Sequence, residues 1–244
     1  MKRFYQEVSV ATDAGGHRIL LDGRPIHSPA RQALAVPSAA LAEAVADEWR
    51  AQGDTIERAG MGLTRLASTA LDRMPALRGA ALDEALGYAQ TDLLCYRAAE
   101  PVELAVRQEQ AWQPWLDWLV EAHGVRLVVT TTMLPVSQPE PAIARLRAAI
   151  DRLDDWRLVG LHGATTALGS LVLGLALLEG EIDAERALAA SLLDELFEME
   201  RWGRERDALR RQQVVRRDVA AAAAFLACLR PPATAARSRA DSDG

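Results

Sequence analysis

A run of 21 residues, 158–178, contains no Asp, Glu, Lys or Arg. That is the length a bilayer crossing requires. The run also holds Gly160, His162, Gly163, Thr165, Thr166, Gly169, Ser170 and Gly174, with acidic residues close on both sides and no basic excess on one. It therefore reads as a helix buried inside a soluble protein and not as a membrane span. Small residues recur at 160, 163/164, 167, 170 and 174, a spacing that suits close helix-on-helix packing. Neither GxGxxG nor a lysine is present in it and no strand immediately precedes it, so the dinucleotide and P-loop fingerprints fail.

The chain before this run changes period once. Residues 4–36 alternate in short runs punctuated by Asp13-Ala14-Gly15-Gly16 and Gly23-Arg24-Pro25, which predicts an antiparallel β meander. Ser38 then offers an N-cap, and Leu41, Val45 and Trp49 fall four apart on one helical stripe before Gly53. A second helix is expected over 63–74. From 76 onward the reading is helical: 77–97 as one or two helices, 102–123 with a kink at Pro114, 140–152, 156–178, 184–202 and 205–229. The β-branched stretch in 126–136 is the exception, a strand or extended connector. These spans predict an α+β fold with a small N-terminal domain over 1–75, a larger helical domain over 76–230 and a disordered tail over 231–244.

Charge and rare residues remove several function classes. A net charge of −6 opposes general nucleic-acid binding. Lys2 is the sole lysine, which excludes P-loop, Schiff-base and lysine-nucleophile chemistry. Cys95 and Cys228, the two cysteines, form no CxxC site or disulfide framework and fit a reducing compartment. Residues 1–10 lack the features of a secretory signal. His17, His27, His123 and His162 are scattered without metal-ligand spacing; His27 is read as a solvated turn residue and His162 as a hydrogen-bonded core residue. Cys95 has no adjacent base and reads as a small core residue. In a helix, Asp92 would lie four residues before Tyr96 and beside Arg97, giving a polar seam.

The segment 188–203 carries the main candidate site. At 100° per residue Leu188, Leu192, Glu195, Met199 and Trp202 share about 80° of arc, which places Glu195 in the middle of an apolar face. A carboxylate there is costly unless paired or set at a contact surface. Either it pairs with an arginine of another helix and fixes packing, or it meets a partner; catalysis is the minor alternative. Residues 183–200 hold six acidic side chains against one basic, and 201–217 hold seven arginines against Glu205 and Asp207. Such a polarised pair of helices suits electrostatic steering of a protein partner, although a solvated helix face has the same look.

A set of motifs resembles one family in order and spacing over about residues 4–225. They are Leu20-Leu21-Asp22-Gly23-Arg24-Pro25, Glu48-Trp49-Arg50-Ala51-Gln52-Gly53-Asp54, Thr69-Ala70-Leu71-Asp72, Thr91-Asp92-Leu93-Leu94-Cys95-Tyr96-Arg97-Ala98, Arg107-Gln108, Trp112-x-Pro114-x-Leu116-Asp117-Trp118, Asp194-Glu195 and Trp202-Gly203. The family is the Atp12-type assembly factors of F1 ATP synthase. The resemblance implies a small β-containing domain followed by an orthogonal helical bundle. It also implies a non-enzymatic, ATP-independent chaperone that holds the free F1 α subunit before it joins β, in the bacterial cytoplasm or the mitochondrial matrix. No cofactor, metal or small-molecule substrate is expected. Asp194, Glu195, Glu198, Trp202 and Gly203 are the expected partner-binding residues. Gly60 and Gly62 stand where the family has prolines flanking Met61, Ser68 where asparagine is common, Glu198 where glutamine is expected and His27 where lysine is frequent. The alternative is a small-molecule binder or enzyme using Asp194 and Glu195 as an acid/base pair, which would need help from another helix because neighbouring helical side chains point about 100° apart.

Overall fold

The computed structural model describes residues 1–132, 134–203 and 206–230; the tail expected over 231–244 lies outside them. Among the described residues four short strands precede ten α-helices. Strand β1 (Val8–Asp13) turns at Ala14-Gly15 into β2 (Gly16–Leu21), where the Asp13 carboxylate accepts the Gly15 amide at 2.7 Å. The two run antiparallel, Val8 opposite Leu21 and Asp13 opposite Gly16. Asp22 and Gly23, both at positive φ, form the next turn into β3 (Arg24–Pro25). The expected meander ends there. β4 (Ala35–Val36) returns to β2, pairing Val36 with His17, while β3 pairs Pro25 with Leu20. Two short strands thus share one edge of β2.

Ile19, Leu21 and Val36 bury against α1 (Ala39–Arg50), whose Leu41, Ala42, Val45 and Ala46 are fully enclosed. The Ser38 hydroxyl caps α1 by accepting the Leu41 amide at 3.1 Å and donates to the Cys228 carbonyl at 2.7 Å, so the first helix starts where the last one ends. Helix α2 (Gly62–Asp72) follows, its first amides at Leu63 and Thr64 accepted by the Glu48 carboxylate at 2.7 and 2.8 Å. One apolar cluster runs from Tyr5 to Ala67 and takes in Phe225 from the far end of the chain. A second runs from Ala70 to Leu226.

The second cluster is built mainly by α3 (Met74–Gln90), α4 (Val102–His123), α5 (Glu140–Asp151), α6 (Asp155–Leu168), α7 (Leu171–Glu179), α8 (Ala184–Ser191) and α10 (Arg206–Cys228), while α9 (Leu193–Trp202) packs against it through Leu193. The uncharged run is not one helix. Gly169, at φ 68, ends α6 in the left-handed region, and the Ser170 hydroxyl caps α7 through the Leu173 amide at 3.1 Å. The chain folds back there, and α7 buries Leu171, Val172, Leu173, Leu175, Ala176 and Leu177. The small residues act as expected: a Cβ on Gly174 would sit 2.5 Å from Thr165 Oγ1, and one on Gly160 would collide with Leu226. Among the described residues no helix is long and apolar enough to cross a membrane.

Other readings shift locally. Pro114 lies inside α4 without ending it. The helix expected over 77–97 stops at Gln90, and Leu93–Cys95 forms a 3-10 turn. Asp92 is therefore not on a helix with Tyr96. It is wholly buried, one oxygen accepting the Leu94 amide and the other the Val172 amide at the start of α7, both at 3.1 Å. The described residues of the stretch 126–136 form no regular strand but an irregular connector, with a parallel bridge from Tyr96 to Thr130. His162 is hydrogen-bonded as expected, to Glu84 at 3.0 Å, but at the rim and not in the core.

Candidate functional site

The site begins with a break in the helix expected over 184–202. Leu192, at φ −95 and ψ 8, separates α8 from α9, so positions 188–202 do not share one face. Leu188 and Leu192 are buried, whereas on α9 the enclosed apolar side chain is Phe197. Arg107 of α4 and Arg201 of α9 place their guanidinium groups over its ring, 5.1 and 4.5 Å from the centroid. The same two arginines tie the helices together. Arg107 reaches Glu103 at 2.9 Å and Glu200 at 2.8 Å, and Arg201 reaches Glu103 at 3.0 Å. Hydrogen bonds from Arg201 and Arg107 hold the Glu103 carboxyl below its ordinary range.

Asp194 and Glu195 point to different helices. The Asp194 carboxylate accepts from Gln108 of α4 at 2.8 Å, and its half-burial pushes its pKa up. Gln108 is itself buried, its carbonyl oxygen accepting the Ala98 amide at 2.7 Å. Glu195 meets Arg211 of α10 at 2.8 Å and Gln212 at 3.3 Å. Its side chain is one-third exposed, so it sits at the edge of an interhelical contact and not in the middle of an apolar face. Carboxylates held apart in this way do not converge on one substrate atom, which removes the geometry an acid/base pair requires. Glu198 is exposed. Trp202, expected as part of the apolar face, is 81% exposed, and Gly203 ends α9 at φ 92.

Part of the charge polarity along the chain is spent internally: Arg211 pairs with Glu195, and Arg216 with Glu185 at 2.8 Å. What remains open is an apolar and acidic surface. Leu196 and Trp202 are exposed on α9, and Val102 and Val106 lie on α4 one position before Glu103 and Arg107. The positioning residues Arg107 and Gln108 stood in the sequence as one motif, without a role; with Glu103 they are the α4 side chains that bond α9. Elsewhere, burial pushes the Cys95 thiol up to about 12, which suits a core residue and not a nucleophile. Among the described residues no group of three or more His, Cys, Asp or Glu could hold a metal ion.

This architecture is similar to that of proteins already known. Residues 2–120 match the family described as ATP12 chaperone protein. The crystal structure of Atp12 from Paracoccus denitrificans is 37% identical with a TM-score of 0.88, the match covering 94% of this chain and 98% of that one. The Atu1473 protein of Agrobacterium tumefaciens is 39% identical with a TM-score of 0.89, covering 94% of this chain and 86% of that one. The mitochondrial protein atp12 of Schizosaccharomyces pombe is 24% identical over 219 residues, 85% of this chain and 75% of its own length.

Proposed function

The chain belongs to the ATP12 chaperone family, and from that membership we propose that it is an assembly chaperone of F1 ATP synthase whose client is the free α subunit. An unassembled α subunit exposes the apolar surface it later buries against β, and such a surface drives aggregation. A chaperone that covers it by binding alone needs neither catalysis nor ATP, and must yield to β. The bacterial cytoplasm is the proposed compartment, the counterpart of the mitochondrial location in the fission yeast relative's name.

The observation that carries the reading is the exposed Trp202 at the end of a helix braced by Arg107 and Arg201. A rigid tryptophan presented to water has the character of an interface anchor. In this reading Trp202 enters a client pocket, while Glu195 and Glu198 offer carboxylates beside it. Asp194 positions α9 through Gln108, and Gly203, at φ 92, ends α9 directly after Trp202. Purified α subunit mixed with stoichiometric protein is expected to scatter less light on warming and to co-elute as a complex in gel filtration. Equal aggregation with and without the protein, and no complex, would sink the reading.

A further inference from the structure

A second surface shares no lining residue with α9. Between the loop at 27–30, the end of α1 and the flank of α2 lies a hollow of about 930 Å3. It shares Met1, His27, Trp49 and Arg58 with a neighbouring hollow of about 600 Å3 that reaches the turn before β3, so the two make one elongated open trough. Its floor is apolar, formed by Trp49 with Ile56 and Met61. Its acids are already satisfied. Asp72 accepts the Ser28 hydroxyl at 2.6 Å and the Ala30 amide at 2.9 Å, and Asp22 accepts the Gln6 and Glu7 amides at 3.0 and 2.8 Å.

The bases are not. Arg65 is held by Asp218 at 2.6 Å, whereas Arg24, Arg58 and Arg73 make no ion pair among the described residues. In a chain of net charge −6, three unpaired guanidinium groups around one apolar trough point to a carboxylate-bearing ligand. The length and openness of the trough favour an extended chain over a compact small molecule, which an enclosed pocket would hold better.

We propose that this trough binds an extended peptide segment in which apolar side chains alternate with carboxylates, the apolar groups on the Trp49 floor and the carboxylates on Arg24, Arg58 and Arg73. For the source of that segment, the client, the proposal rests on the chaperone reading. The test uses the full chain and two short fluorescein-labelled peptides, one alternating leucine with glutamate and one leucine with lysine, read by fluorescence anisotropy. The glutamate peptide should bind at least tenfold more tightly, weaken as salt is raised, and lose its preference in Arg58→Glu/Arg73→Glu at unchanged thermal unfolding. Arg58→Gln/Arg73→Gln is the milder variant should the reversal disturb folding. Equal affinity for both peptides, no binding, or self-association of the protein through these arginines would overturn the proposal. Gel filtration with α subunit separates the two readings: a complex without peptide preference sinks the trough alone, and peptide preference without a complex sinks the client assignment alone.

Discussion

Gln108 of α4 joins Asp194 of α9 to the chain segment that enters α4: its amide nitrogen donates to the Asp194 carboxylate at 2.8 Å while its oxygen accepts the Ala98 amide at 2.7 Å. This buried side chain therefore acts with the Arg107 and Arg201 ion pairs to set where α9 lies, and α9 carries the proposed client surface. Gln108→Leu keeps the volume and leaves a half-buried carboxylate and a backbone amide unpaired. The expected cost is about 1–3 kcal/mol in denaturant unfolding, with weaker client capture. Gln108→Glu should cost more at neutral pH and recover on acidification, because it sets a second carboxylate against Asp194. No recovery on acidification would show that the two side chains do not meet.

The fold was legible where one face of an element is buried, and less so where every face or none is. In residues 158–178 apolar side chains surround the helix on both sides of Gly169-Ser170, so periodicity could not report the reversal that a glycine and a capping serine create there. At Leu192 no glycine, proline or capping residue marks the break between α8 and α9, and a wheel drawn through it put Glu195 on an apolar face it does not occupy. Asp92 looked like a helical residue because its partner, the Val172 amide, lies 80 positions away. The trough at Trp49 had no sequence signature at all, being assembled from separated segments around residues 1, 28, 58 and 73.

Asp92 should give the protein an acid-side signature. Burial raises its pKa from 3.8 to about 6, the backbone amides and the Ser170 hydroxyl only partly opposing this. Between about pH 4 and 6 the folded chain holds a proton the unfolded chain has released, so this group's contribution to stability falls as pH rises through that window and is level above it. In Asp92→Asn the window should vanish. The variant should also be less stable throughout, since an amide offers one acceptor oxygen where the carboxylate offered two to separate N–H donors. The difference in unfolding free energy between wild type and variant, measured from pH 4 to 7, must depend on pH; a constant difference overturns the assignment.

Two classes of glycine should respond to alanine with opposite signs. A Cβ on Gly62 would lie 2.5 Å from the Ala221 Cβ of α10, an atom with no rotamer to move away. Gly62→Ala should therefore part α2 from α10 at a cost of about 1–3 kcal/mol. Gly79 and Gly87, inside α3, have nothing within 4 Å of such a Cβ. Alanine at either should add roughly 0.5–1 kcal/mol by removing glycine's excess unfolded-state freedom. Thermal unfolding of the single variants reads both signs, and a neutral Gly62→Ala would mean that α2 and α10 are less tightly apposed.

Glu195 and Trp202 separate contact from scaffold. The Glu195 pair with Arg211 is open to solvent, the two side chains 33% and 64% exposed, so its Coulomb energy is screened. Glu195→Gln keeps the shape and the bond to Gln212 and should change stability by less than about 1 kcal/mol. Trp202, 81% exposed, has no core packing to lose on truncation, so Trp202→Ala should leave the unfolding midpoint within the spread of ordinary surface variants. Client binding is the discriminating readout: removal of a tryptophan at an interface centre costs about 2 kcal/mol or more, a loss of roughly thirtyfold. If Trp202→Ala binds α subunit as wild type does, the anchor lies elsewhere. If instead Glu195→Gln unfolds early while its folded fraction binds normally, the carboxylate serves the packing of α9 on α10 and not the client.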